Sequence, residues 1–196
     1  RCDVVVTNPP FSLFREFVDL IISHKKDFLV IGNQNAITYK KFFPYLKSGY
    51  VSLGIARNKI LVFATPKGSN VRNISFTKDG VDYVGIPAIT WFTTLHHDVP
   101  TKPLKLTKTY NEKDYPKYDN YNAINVDRVK DIPKDYFGYM GVPITYMNRH
   151  NSSMFSIEGL MNETEKNEGI KYPNIKNGLP LIGGKSKYAR IIIKRK

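Results

Sequence analysis

Asp3-Val4-Val5-Val6-Thr7-Asn8-Pro9-Pro10-Phe11-Ser12-Leu13-Phe14 holds the abrupt change of pattern that decides the fold. A β-branched run stops at two prolines, and helical periodicity begins directly after them. Asp3–Thr7 predicts a short strand buried on both faces. The prolines end it, because each lacks an N–H and has a fixed φ. Over Ser12–His24, apolar residues recur at helical spacing in two sets: Leu13, Phe17, Leu20 and Ile21, then Phe14, Val18 and Ile22. Ser12 is the expected N-cap, while His24, Lys25 and Lys26 suit the negative end of the helix dipole. Phe28–Ile31 predicts a second buried strand, leading into Gly32-Asn33-Gln34-Asn35. A second helix is expected over Tyr39–Lys47, disturbed at Pro44 and stopped at Gly49. Strand, helix, strand, helix with short connections predicts parallel pairing, right-handed crossovers and an α/β class.

Beyond Gly49 the pattern turns to hairpins. Tyr50–Ile55 and Lys59–Ala64 flank Arg57-Asn58, and residues 73–77 and 81–85 flank Lys78-Asp79-Gly80, where Asp-Gly is a strong turn signal. Ala88–Leu95 predicts a further strand. Residues 100–135 are rich in Tyr, Lys and Asp with scattered prolines and predict irregular structure. Strands return at Pro143–Met147, Met154–Ile157 and Tyr188–Lys194, while the polar residues 162–178 predict a surface excursion. The expected division is residues 1–64, carrying the Asn-Pro-Pro-Phe loop, and residues 65–196, a β-rich region with return strands.

The 196 residues carry 41% apolar and 13% aromatic side chains, enough for a core and against wholesale disorder. No run approaches the roughly eighteen apolar residues of a membrane span. No secretory signal pattern opens the chain, and it lacks an initiator Met, which suggests a fragment of something longer. A single cysteine, Cys2, permits no internal disulfide and fits a reducing, cytoplasmic setting. Cys2 lacks the Pro-Cys setting of a cytosine-C5 nucleophile and is expected to be buried filler.

Thirty Lys+Arg against seventeen Asp+Glu leave a net charge of +13. Its position is more informative than its size. Between Phe28 and Lys78 there is no acid, yet Lys40, Lys41, Lys47, Arg57, Lys59, Lys67, Arg72 and Lys78 are present. Residues 185–196 are also acid-free and hold six cations, whereas residues 101–140 are nearly balanced. Acid-free basic zones interleaved with aromatics point to phosphates, although a solvated basic face is the plainer alternative. No long helix with a basic polar face appears, so a membrane surface is not expected.

Asn8-Pro9-Pro10-Phe11 is where chemistry concentrates. It falls at the carboxyl end of an expected parallel strand, where open α/β sheets build their sites. At average residue usage the tetrapeptide arises about once in a hundred thousand positions, so chance is a poor account of it. An exocyclic amino group on a nucleobase is a weak nucleophile, because its lone pair is delocalised into the ring. Two acceptors on its two N–H bonds would favour tetrahedral nitrogen and free that pair. The Asn8 carboxamide oxygen and the Pro9 carbonyl are such acceptors, and Phe11 offers a flat face for a base. Prolines remove competing donors and aim the carbonyl. A duplex base must first be flipped out and stacked.

Asp/Asn-Pro-Pro-aromatic after a hydrophobic strand resembles motif IV of the amino-methyltransferases that use S-adenosylmethionine. Thr7-Asn8-Pro9-Pro10-Phe11-Ser12-Leu13-Phe14-Arg15-Glu16 and Phe28-Leu29-Val30-Ile31-Gly32-Asn33-Gln34-Asn35-Ala36-Ile37-Thr38 resemble, more narrowly, the EcoRI-type adenine-specific DNA methyltransferases. Trp91–Leu95, Tyr118–Asn125, Gly141–Thr145 and Tyr188–Lys194 extend the likeness over nearly the whole chain, weakening around residues 150–185. The resemblance implies methyl transfer from S-adenosylmethionine to adenine in double-stranded DNA, commonly beside a restriction endonuclease. It implies Asn8, Pro9, Pro10 and Phe11 as catalytic residues. It also implies the second half of a Rossmann-like class I methyltransferase sheet, followed by a β-hairpin-rich region.

One departure matters. The family's Gly-rich strand-to-helix loop and the acidic residue that ends the next strand have no match here. The cofactor half is therefore expected upstream of Arg1, with only Thr7 and Asn8 contributing from this chain, and residues 1–196 alone are expected not to methylate DNA. Asn33, Gln34 and Asn35 share the sheet edge with Asn8 and are candidates for lining the base pocket or DNA entrance. Lys40, Lys41, Arg57 and Arg72 are candidate phosphate contacts. Base-reading side chains are expected within residues 56–90 and 145–185. His96-His97-Asp98 invites a metal reading, but neighbours on a strand point oppositely and no further ligand cluster accompanies them, so no metal is expected. Trp91 and Tyr110, Tyr115, Tyr118 and Tyr121 could stack on bases, with core packing the favoured reading. Other outcomes stay open: an RNA amino-methyltransferase, a glutamine methyltransferase (which would not need this charge), or a non-catalytic DNA-binding or specificity module.

Overall fold

A computed structural model describes residues 2–54, 60–66, 75–97, 103–162 and 178–196. The architecture is mixed α/β, with several sheets and few helices. Two compact units form, Arg1–Ala36 with Val51–His97, and Ile37–Tyr50 with Asp98–Lys196. Among the described residues no helix is long and apolar enough to cross a membrane.

In the first unit, β1 (Val4–Thr7), α1 (Phe14–Ser23) and β2 (Asp27–Asn33) form one strand–helix–strand crossover. They are followed by β3 (Ser52–Leu53), β4 (Leu61–Ala64), β5 (Phe76–Lys78), β6 (Val81–Ile86) and β7 (Ile89–Thr93). One sheet runs β1-β2-β7-β3 and the other β4-β6-β5. β1 and β2 are parallel, with Thr7 opposite Val30. β7 is antiparallel to both β2 and β3, so β3 points the same way as β1 and β2. The expected parallel pairing thus holds for β1 and β2, while β7 separates β3 from β2.

Packing follows from the register. Val30, Phe92 and Leu53 stand in a row across β2, β7 and β3, and all three are buried. α1 lays Phe14, Val18 and Ile21 inward, one stripe at helical spacing. The Phe14 ring meets Phe92 with centroids 5.5 Å apart. Burying side chains of this size contributes about 1.5–3 kcal/mol each.

Several expectations are corrected here. β1 is not buried on both faces: Val4 and Val6 are 40% and 63% exposed, and β2 is its only strand neighbour among the described residues. A β-branched run specifies an extended backbone, but burial requires a layer over it, which the run cannot supply. Cys2, just before β1, is likewise exposed rather than filler. Ser12 caps nothing. Phe11–Leu13 form a 3-10 turn, closed by the Leu13 N–H on the Pro10 carbonyl at 2.9 Å, and α1 starts only at Phe14. β3 and β4 are not a hairpin, since they belong to different sheets. The hairpin at Asp79-Gly80 does form: Lys78 pairs with Val81, and the two turn residues have φ of +50° and +72°, as a primed two-residue turn demands.

The second unit contains α2 (Phe43–Lys47), β8 (Ile124–Asn125), β9 (Tyr139–Pro143), β10 (Phe155–Met161), β11 (Leu181–Ile182), β12 (Lys185–Ser186) and β13 (Arg190–Arg195). Pro44 stands in the first turn of α2, where its missing N–H costs nothing. It helps start a shorter helix instead of disturbing a long one, and Gly49 at φ +77° ends it. The main sheet runs β10-β13-β9-β8, with Ile191, Ile192 and Ile193 of β13 fully buried at its centre. β9 ends where a strand over residues 143–147 was expected to begin. Pro143 leads into a 3-10 segment, Ile144–Arg149, which buries Tyr146 and Met147. Tyr115, Tyr118 and Tyr121 are core residues. The expected excursion over residues 162–178 falls almost wholly outside the described residues.

Candidate active site

The Asn8–Phe11 loop leaves the carboxyl end of β1 next to the carboxyl end of β2. Extending the parallel register by one residue sets Asn8 level with Ile31, two residues short of Asn33. Pro9 is buried and anchors the loop, whereas Asn8 and Pro10 are exposed and Phe11 is 42% exposed. The Leu13 N–H engages the carbonyl of Pro10, not that of Pro9. Neither the Asn8 carboxamide nor the Pro9 carbonyl has a hydrogen-bond partner among the described residues. Two acceptors, one on the exposed Asn8 and one on the buried Pro9, are thus without a hydrogen-bond partner among the described residues, and the exposed Phe11 ring follows them in the loop.

Gly32 makes room for the first residue of the helix that follows this loop. A Cβ built on it would overlap the Phe14 ring and lie 2.9 Å from Phe92 Cε2. Only a hydrogen there lets Phe14, at the first position of α1, press onto the sheet just after the loop. A glycine inside a strand pattern is the sequence signal for such an approach.

Asn33 Oδ1 accepts the Asn35 N–H at 2.8 Å, and the Gln34 N–H donates to the Ala88 carbonyl at 2.7 Å. Asn33–Asn35 are therefore set rigidly at the same sheet edge as Asn8. Lys40 and Lys41 are exposed in the turn before α2, in the second unit. Arg57 and Arg72 lie outside the described residues, as does Asp98. His97 Nε2 lies 3.0 Å from Ser52 Oγ and 3.0 Å from the Leu53 carbonyl, which ties it to β3.

The second unit holds a device that the sequence did not reveal. Gly183 and Gly184, with φ of +55° and +73°, form the turn between β11 and β12. Their N–H groups donate to the Asp119 carboxylate at 3.2 and 2.8 Å. Asn120 adds a hydrogen bond from the Leu181 N–H and one to the Leu179 carbonyl. Tyr121 donates its hydroxyl to the Gly178 carbonyl, and burial pushes its pKa up to about 12, so it remains a donor. Asp119→Ala should remove the turn's two charge-assisted bonds, each worth about 1.5–3 kcal/mol when well shielded and less at this exposed site. Proteolysis or amide exchange at 183–184 should accelerate while global Tm barely moves; unchanged exchange there would show that the clamp is idle.

Comparison with known proteins fits these features. The family model described as "Adenine-specific methyltransferase EcoRI" matches residues 1–196. Type II methyltransferase M.MgeORF184P of Mycoplasma genitalium is 39% identical over 210 residues, covering 100% of this chain and 65% of that protein. Type II methyltransferase M.EcoRI of Escherichia coli is 40% identical over 204 residues, covering 100% and 58%. Type II methyltransferase M.MpnI of Mycoplasma pneumoniae is 38% identical over 207 residues, covering 100% and 65%. The chain spans about three-fifths of the length of these relatives. No solved structure matches it. The chain belongs to the EcoRI adenine-specific methyltransferase family.

Proposed function

We propose that this chain is the catalytic-motif and DNA-facing part of an adenine-specific DNA methyltransferase. The observation that carries this reading is the pair of unclaimed acceptors, Asn8 Oδ1 and the Pro9 carbonyl, beside the exposed Phe11. A flipped adenine stacks on Phe11, and its two amino N–H bonds point at the two acceptors. Localising the lone pair on nitrogen is then a matter of positioning and electrostatics, with no strong base. Once nitrogen carries the added methyl group it is cationic and strongly acidic, and its proton passes to solvent water. Asn33, Gln34 and Asn35 line the entrance from the neighbouring strand, while Lys40, Lys41, Arg57 and Arg72 meet phosphates.

S-adenosylmethionine is the methyl donor in this reading. The described residues do not form a complete site for it. Gly183-Gly184 joins two strands, not a strand and a helix, and its N–H groups are already held by Asp119. Cofactor binding accordingly belongs mostly to other parts of the whole protein, with Thr7 and Asn8 at its border. The three strands β1, β2 and β3, which point the same way, with one crossover helix, support the second half of a Rossmann-like sheet. Residues 1–64 carry the catalytic motif in this reading, and residues 65–196 supply the return strands and recognition loops. Double-stranded DNA is the substrate, and a restriction endonuclease is the functional companion. The test is methyl transfer from labelled S-adenosylmethionine. The intact native protein should place label on the adenine amino group of duplex DNA, and residues 1–196 alone should not. Label on cytosine, RNA or protein instead would overturn the reading.

A further inference from the structure

The near-balance of charge over residues 101–140 is undone by folding. Five of the six acids there are claimed internally. Asp114 accepts from Asn111 Nδ2, Asp119 from the glycine turn, Asp127 from Asn125 Nδ2 and Arg190, Asp131 from Arg128 Nε, and Asp135 from the Tyr110 N–H. The cations are not consumed to match. Lys105, Lys130 and Arg149 are exposed and form no ion pair among the described residues.

These three come from separate segments of the second unit, yet they line one cleft of about 440 Å³ together with Arg128. Its only acid, Asp127, is the one already engaged by Arg190 and Asn125. Like charges gathered in a concavity repel each other and raise the local positive potential, which a polyanion relieves. Leu104, Val129 and Pro143 add apolar surface and Thr145 a hydroxyl, the mixture that a sugar–phosphate strand presents in mirror image.

We infer that this cleft is a clamp for the phosphodiester backbone of the DNA substrate, separate from the Asn8 loop and from the basic residues named from sequence. The inference rests on the proposed function. It adds Lys105, Lys130 and Arg149 as positioning residues that hold the duplex without reading its bases.

The test is the salt dependence of DNA binding by the intact native protein and by Lys105→Ala/Lys130→Ala/Arg149→Ala. Each phosphate contact contributes about 0.9 to the slope of log affinity against log salt, so three lost contacts should flatten it by about 2.7. Specific and non-specific duplexes should weaken by the same factor. A variant with wild-type slope and affinity overturns the clamp while leaving the methyltransferase reading intact. A wild-type protein with no salt-dependent DNA binding overturns both. If the variant loses binding of a mononucleotide but keeps the wild-type DNA slope, the cleft serves a small phosphorylated ligand and the clamp is overturned. All three side chains are exposed, so circular dichroism and Tm should match wild type, separating lost contacts from lost fold.

Discussion

Replacing Asn8 with alanine is expected to lower kcat for adenine methylation by the intact protein about 10²–10³-fold, the usual cost of losing one preorganised hydrogen-bond group at a reacting centre. Two acceptors hold the amino group in the proposed geometry, and Asn8→Ala leaves only the Pro9 carbonyl. The nitrogen then has one N–H without a directed partner, and its lone pair stays in the ring. Because Asn8 is exposed and its side chain has no hydrogen-bond partner among the described residues, its truncation should not disturb the fold. DNA affinity should stay within about threefold of wild type, since most of it comes from phosphate contacts elsewhere. Asn8→Asp retains an acceptor oxygen at the same reach and should recover part of the rate. If Asn8→Ala methylates at the wild-type rate, the loop is not catalytic, and a DNA-binding or specificity module becomes the better reading of this chain.

The second large effect concerns the support of that loop. Gly32→Ala inserts a methyl into the Phe14 ring and 2.9 Å from Phe92 Cε2. Both rings are buried, Phe14 at 2% and Phe92 at 0% exposure, so neither can swing into solvent without giving up its burial. Overpacking of this kind costs about 1–3 kcal/mol. In a chain of this length each kcal/mol lowers Tm by about 2–4 °C. Phe14 begins α1 only three residues after Phe11, so a displaced ring carries the Asn8–Phe11 loop with it. Activity should therefore fall further than the loss of folded protein explains, with kcat affected more than DNA binding. Gly49→Ala is the useful comparison: its Cβ would meet nothing within 4 Å, and only the strain of φ +77° opposes it. Equal Tm for Gly32→Ala and wild type would refute the close-packed support.

Local chemistry was legible where it depended on neighbours in sequence. The two prolines end β1, Asp79-Gly80 makes the primed turn, and the inward stripe of α1 falls at helical spacing. That Ser12 caps nothing was not legible, because Pro10 offers its carbonyl to the N–H three residues on and tightens the first turn into a 3-10 geometry. The β3–β4 hairpin failed for a related reason. Two short runs either side of Arg57-Asn58 look like partners, but Leu53 finds Phe92 and Leu61 finds Ile86, in different sheets. Strand partners are chosen by long-range packing, which a local turn signal cannot weigh.

The amino-acid sequence by itself determined the chemistry on offer at Asn8–Phe11, the family, and the basic character of the chain, because each resides in residue type and short spacing. Only the tertiary structure decided that β1 has β2 as its one strand neighbour among the described residues, that Gly32 makes room for Phe14, and that Asp119 holds the Gly183-Gly184 turn. It also decided where the charge acts. Acids and bases that alternate along residues 101–140 are sorted in space, because carboxylates are drawn to N–H groups and guanidinium within the fold while lysines gain most by staying in water. Net charge counts both signs alike; a folded surface shows mainly the sign that no internal partner has taken up.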